Sequence, residues 1–167
     1  MMKKKLYANA ARIFANLMPC IRGGGGRVMR ISEDFRELTV RLPLTWRTRN
    51  IVGTIFGGSL YASTDPFFML MLREILGKDF VVWDKGCTIR FKRPAKETVF
   101  AEFRITDEML ATLRADLSEK GETTFTWPLE YRGQTGIVYV EFEKVLYVAT
   151  KEVYDEKSRR RINRDRV

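Results

Sequence analysis

The sequence predicts an α+β domain in which a mostly antiparallel sheet wraps one buried helix. Three observations carry this. The segment from about Gly57 to Leu76 is apolar almost all round, as a helix buried on most sides is. Several other segments read as strands, with alternating or extended runs of apolar and β-branched residues. The order is strand, buried helix, two strands, short helix, two long strands, so one helix is left to fill a sheet of four or five strands. The 167 residues suit a single domain, and 45% hydrophobic with 31% charged residues suits a soluble globular one.

The opening "MMKKKLYANAARIFANLMP" has the basic start of a signal peptide, but Asn9, Arg12 and Asn16 interrupt its apolar core. Leu6, Ala10, Ile13, Phe14 and Leu17 fall at helical spacing, which predicts an amphipathic helix packed on the body by that face. A membrane-surface role is the other reading of such a helix. "RGGGGR" at 22–27 reads as a flexible break, since it lacks the Lys-Ser/Thr ending of a phosphate-binding loop. These divisions give an N-terminal helix and linker at 1–27, a main domain at 28–150 and a basic tail at 151–167.

Within the main domain "ELTVRLPL" at 37–44 alternates as a half-buried strand does. Gly77 follows the apolar helix as a C-cap. "FVVWDKGCTIRFKRP" and "ETVFAEFRIT" are strands, with Trp83 and Cys87 expected in the core by alternation. "DEMLATLRADLSEKG" is a shorter helix with Asp107 as its expected cap. "TTFTWPLEYR" and "GIVYVEFEKVLYVAT" form a hairpin around "RGQTG", and Pro128 must lie at an edge or bulge.

There is no histidine. That excludes His-based triads, HExxH sites and nearly every catalytic zinc site, and leaves acid–base work to Asp, Glu, Lys, Tyr or Cys. The two cysteines, Cys20 and Cys87, are far apart and form no CxxC pair, so neither a disulfide scaffold nor a metal site is expected. A reducing cytoplasm is the expected compartment. The net charge is +9, and the tail holds seven basic and four acidic residues, a solvated, frayed end rather than a nucleic-acid arm. The remaining basic excess would suit a nucleotide-bearing substrate such as coenzyme A.

The segment "NIVGTIFGGSLYASTD" at 50–65 holds the candidate chemistry. It reads Asn-x-x-Gly-x-x-Phe-Gly-Gly, then six residues, then Asp65, with Pro66 behind it. Asp65 has two readings: the cap of a second helical segment begun by Pro66, or a site residue. The spacing resembles that of the phenylacetate-pathway type of acyl-CoA thioesterase, a hotdog-fold family with Asn-x-x-Gly-x-x-His-Gly-Gly and Asp at the same offset. Asn50, Gly53, Gly57, Gly58 and Asp65 match, while Phe56 stands where that family has histidine. The element order over roughly residues 28–149 resembles a hotdog fold too, and "DPFFMLML", "VVWDK" and "IRFKRP" resemble an uncharacterised branch of that superfamily.

The resemblance implies a catalytic set of Asp65, Gly58 and Asn50. Asp65 would be the general base or nucleophile, the Gly58 amide the oxyanion donor at a helix N-terminus, and Asn50 the residue that orients water or the carboxylate. Gly57, Phe56, Tyr61, Thr64, Lys92 and Arg93 are the substrate-binding candidates. For Tyr61 the alternatives are an acyl tunnel or core packing. For Thr64 and Ser63 they are the reacting carbonyl or the helix's own backbone. For Lys85, Arg90, Lys92 and Arg93 they are coenzyme A phosphates or solvated strand-end charge. On a continuous helix Gly58 and Asp65 are roughly 10 Å apart along the axis, so one thioester meets both only if a second subunit supplies one of them. The expectation is a cofactor-free hydrolase of acyl-CoA or acyl-carrier thioesters, a homodimer or dimer of dimers, with neither nucleic acid nor integral membrane as partner. The alternative is a non-catalytic acyl- or lipid-binding hotdog protein.

Overall fold

A computed structural model describes residues 2–164. The chain begins with α1 (Met2–Leu17) and α2 (Pro19–Gly24), followed by β1 (Arg27–Ile31) and β2 (Glu37–Leu42). The central helix is split into α3 (Gly57–Ala62) and α4 (Phe67–Leu76). Then come β3 (Phe80–Phe91), β4 (Val99–Arg104), α5 (Asp107–Lys120), β5 (Glu122–Arg132), β6 (Val138–Thr150) and α6 (Lys151–Arg164). The strands form one six-stranded antiparallel sheet in the order β1-β2-β4-β5-β6-β3. The expected strands are all present, and β1 is one more than the sequence predicts.

The sheet wraps the split helix as expected. Phe67, Phe68, Met71 and Leu72 of α4 are fully buried. Phe68 packs edge-on against Phe103 of β4 at 4.9 Å and Trp127 of β5 at 5.3 Å between ring centroids. β4 and β5 pair only at Phe100–Arg132 and Ala101–Tyr131, so the sheet is splayed beyond those pairs. Pro128 lies on that unpaired side of β5, where its missing N–H breaks no ladder, while its other side still faces Glu143 of β6. Gly77 caps α4 with its N–H on the Arg73 carbonyl, as predicted. The cap of α5 is Thr106 and not Asp107: its hydroxyl accepts the Met109 N–H, leaving Asp107 exposed for an ion pair with Arg36.

Four further expectations are corrected. The glycine run is not a flexible break. Gly23 and Gly24 end α2, Gly25 caps it at φ 86°, and Gly26 is buried against the central helix. A β-carbon on Gly26 would come within 2.6 Å of the Ser63 Cβ, so the glycines allow a backbone crossing too tight for any side chain. The tail is not frayed through 151–164: α6 is helical, and Tyr154 accepts a hydrogen bond from the Trp83 indole. Residues 165–167 of the predicted tail lie outside the described residues.

The other two corrections concern faces. A bulge in β3 between Asp84 and Gly86 inserts Lys85 and reverses the side-chain phase. Trp83 is therefore exposed, whereas Cys87 is half-buried on the inner side with Asp84. Finally, α1 packs by Ala8 and Ala15, with Leu6, Ile13, Phe14 and Leu17 facing outward. The Asn16 amide sets this orientation, donating to the Val28 carbonyl and accepting the Val28 N–H, which closes the free edge of β1.

Candidate functional site

Pro66 has no N–H with which to continue the helix, and the chain makes a turn over 63–66 before α4 begins. Pro66 itself is the N-cap residue of α4, and no side chain caps that helix. Asp65, one residue earlier, is therefore not a cap. Its carboxylate turns to Lys144 of β6, with Nζ 3.3 Å from Oδ1, and the same ammonium donates to the Asp65 backbone carbonyl at 3.1 Å.

Lys144 was missed by the sequence reading, yet it is fully buried. It lies in the inward phase of β6, between Phe142 and Leu146. A buried ammonium demands compensation. Here it has Asp65 on one side, Asp84 of β3 at 3.4 Å, and the Tyr61 ring with its centroid at 5.2 Å. Asp84 Oδ1 is buried and makes no hydrogen bond, so the Lys144 charge is what compensates it. Burial raises the Asp84 carboxyl above its ordinary value, against the opposing pull of Lys144. The hydrogen bond to Asp65, aided by burial, pushes the Tyr61 hydroxyl up to about 12. Burial likewise raises the Cys87 thiol, which makes it a poor thiolate nucleophile.

The first half of the motif lies elsewhere. Asn50 builds a tight loop: its Oδ1 accepts the Val52 and Thr54 N–H groups, and its Nδ2 donates to the Thr54 hydroxyl. Gly53 takes φ 83° in that turn and donates to the Asn50 carbonyl. The Ile55 N–H bonds the Ala95 carbonyl, and the Phe56 N–H bonds that of Thr48, which aims the chain into α3. No side chain caps α3. The Phe56 ring lies over Gly58, where a β-carbon would approach it within 2.3 Å, and the Phe91 ring lies over Gly57 at 3.0 Å by the same measure.

Asn50, Gly57, Phe91, Lys92 and Arg93 line one open depression, and Asp65 is not part of it. The structure thus brings Asp65 together with Tyr61, Lys144 and Asp84, but does not bring Asn50, Lys92 or Arg93 to them. Thr64 is buried, its hydroxyl donating back to the Tyr61 carbonyl, and Ser63 bonds the Ser59 carbonyl and the Tyr131 hydroxyl. Lys92 and Arg90 form surface ion pairs with Glu141 and Glu143, and Lys85 lies over the Tyr147 ring. Among the described residues no group of three or more His, Cys, Asp or Glu side chains could hold a metal ion. Also among them, no helix is long and apolar enough to cross a membrane.

A six-stranded antiparallel sheet wrapped on a central helix defines the hotdog fold, and solved structures agree. PA5026 of Pseudomonas aeruginosa, described as of unknown function with a thioesterase reading, superposes with a TM-score of 0.74 at 21% identity, over 85% of this chain and 95% of that one. A thioesterase from Haemophilus influenzae, HI1161, gives 0.62 at 14% identity over 86% and 90%. The PaaI protein of the Escherichia coli phenylacetic acid degradation operon gives 0.60 at 17% identity over 89% and 94%. No curated protein sequence matches the chain. Residues 8–148 match the family described as a domain of unknown function, DUF4442, and the chain belongs to that family.

Proposed function

We propose that the protein is a cofactor-free thioester hydrolase, acting in the cytoplasm on acyl-CoA or acyl-carrier thioesters, with each site built by two chains. The observation that carries this reading is the Asp65 carboxylate, turned out of the helix break and held by the buried Lys144 ammonium 3.3 Å away. Asp65 takes a proton from water as that water attacks the thioester carbon, the C–S bond breaks, and the leaving thiolate recovers that proton. In the nucleophilic variant the carboxylate attacks the carbon and expels the thiolate, and water then hydrolyses the mixed anhydride, which frees the acid, restores Asp65 and supplies the thiol proton. Lys144 and the Tyr61 hydroxyl fix the direction of the carboxylate. The Gly58 amide, in the uncapped first turn of α3, receives the developing oxyanion. Lys92 and Arg93 border the depression on the Gly57 side, where a nucleotide phosphate would lie.

A homodimer, or a dimer of dimers, joins the two halves. β3 is a twelve-residue edge strand, with one side of its backbone unpaired by the sheet. Antiparallel pairing of two such strands, centred between Cys87 and Thr88, would set one chain's Phe91 beside the partner's Asp84. That brings the Gly57–Gly58 end of one chain toward the carboxylate cluster of the other. A panel of acyl-CoA substrates monitored for free thiol tests the reading. Turnover is expected, and Asp65→Asn should lower it by about 10²–10⁴-fold. Undiminished hydrolysis by that variant would remove Asp65 from the mechanism. The second reading, an acyl- or lipid-binding module without turnover, draws on Phe56, whose ring covers Gly58 where a histidine would supply a polar group. Ligand retained in native mass spectrometry, with no thioester hydrolysed, would select it.

A further inference from the structure

Burial is reversed on α1. Its small residues face the body, and its large apolar residues do not: Leu6 is 71%, Ile13 53%, Phe14 66% and Leu17 62% exposed. These side chains form a stripe roughly 17 Å long on the side away from the sheet. The arrangement is fixed by polar anchors, with Asn16 bonded in both directions to Val28 and the Tyr7 hydroxyl donating to Glu74. Beside the stripe an apolar groove of roughly 640 Å³ runs between Phe14 and Ala10 on one wall and Met69 and Leu70 on the other.

Charge says what covers this face. The helix carries Lys3, Lys4, Lys5 and Arg12 and no acidic residue. The three lysines are exposed at its leading end, Lys4 bordering a depression that also holds Glu33 and Asp34. A self-contact through α1 would bring no acid of the helix to answer these bases: a parallel pairing sets them beside one another, and an antiparallel one sets them against the partner's apolar last turn. A negatively charged surface answers them, and an exposed apolar stripe with lysines at its leading end suits a helix lying in a bilayer interface. We propose that the outward face of α1, led by Lys3–Lys5, docks the protein on an anionic lipid surface. The docking is peripheral and independent of any thioester chemistry.

Flotation of the full chain with vesicles tests this, using phosphatidylcholine alone and phosphatidylcholine with one-third phosphatidylglycerol. Binding is expected to the anionic vesicles only, weakening as NaCl is raised. Joint Lys3→Glu, Lys4→Glu and Lys5→Glu substitution should weaken it by about tenfold or more. Joint Ile13→Ser and Phe14→Ser should do at least as much. All five side chains are exposed, so both variants should keep the parent's melting midpoint, and any loss is then a loss of docking. Three results would overturn the proposal. One is no binding to anionic vesicles, or equal binding to neutral ones. Another is binding that survives both α1 variants but is lost with Arg159→Glu and Arg160→Glu in α6. The third is a change of mass in light scattering on Ile13→Ser/Phe14→Ser without vesicle binding by the parent, which would make this face a contact between copies.

Discussion

Replacing Lys144 by methionine keeps most of the length of the side chain, losing only the terminal nitrogen position, and removes its charge. Asp84 then loses its compensating cation, and Asp65 loses the partner that turns it inward. Removing one member of a buried ion pair costs about 3–5 kcal/mol. The Asp65 side chain is 45% exposed, so solvent screens part of its share, and about 2–3 kcal/mol remains. In a chain of this length that lowers the melting midpoint by about 4–12 °C. The loss must also depend on pH. Burial raises the folded Asp84 carboxyl, and Lys144 opposes that rise, so without the ammonium the rise is larger. A carboxyl whose folded value lies above its unfolded one binds more protons in the folded state. Stability then falls as pH rises from the unfolded value through the folded one. The gap between parent and Lys144→Met should therefore be narrow near about pH 4 and wide by about pH 8, in calorimetry or denaturant titration. Adding Asp84→Asn to Lys144→Met should recover about 1–3 kcal/mol at pH 8, because the uncompensated charge is gone. A loss of equal size at both pH values, untouched by Asp84→Asn, would refute the electrostatic account.

Three further outcomes are expected. Gly26→Ala should cost about 1–3 kcal/mol, since its β-carbon would meet the Ser63 Cβ at 2.6 Å; Gly23→Ala, with nothing within 4 Å, should be neutral or slightly stabilising, and denaturant midpoints read both. Tyr131→Phe removes the buried hydroxyl 2.7 Å from Ser63 Oγ, which keeps its bond to the Ser59 carbonyl, so about 1 kcal/mol should be lost in the same titration. Light scattering should give a mass of about twice 19.5 kDa or a multiple of that, and a monomer at all concentrations would leave the Gly58 and Asp65 halves of the proposed site unjoined.

What the sequence made legible follows from period and spacing. The apolar run of 57–76, the Gly77 cap and the long strands are local patterns, and they were readable as such. β1 escaped because "RVMRI" is short and carries two exposed arginines, Arg27 and Arg30, with only Val28 fully buried. Alternation puts Trp83 and Cys87 on one face because it assumes an unbroken strand, and a bulge at Lys85 breaks it. The face of α1 was misjudged because a helical stripe shows which residues share a side, not which side meets the body. There the deciding contact was polar, Asn16 with the edge of β1.

The candidate site was half legible for a different reason. Its acid sits in a motif, but the group that aims that acid lies 79 residues further along the chain. A signal for Lys144 did exist in the sequence: "VEFEKVLYV" alternates, and the lysine stands at an inward position between Phe142 and Leu146. A charge in the buried phase of a central strand implies a partner of opposite sign across the core. The side chains that supply that sign are carboxylates. One of them, Asp65, had already been singled out by spacing. Joining the two required the helix to break at Pro66, because only there does the carboxylate leave the helix and reach β6. The proline that first looked like an argument for a simple cap is thus what places Asp65 on the lysine.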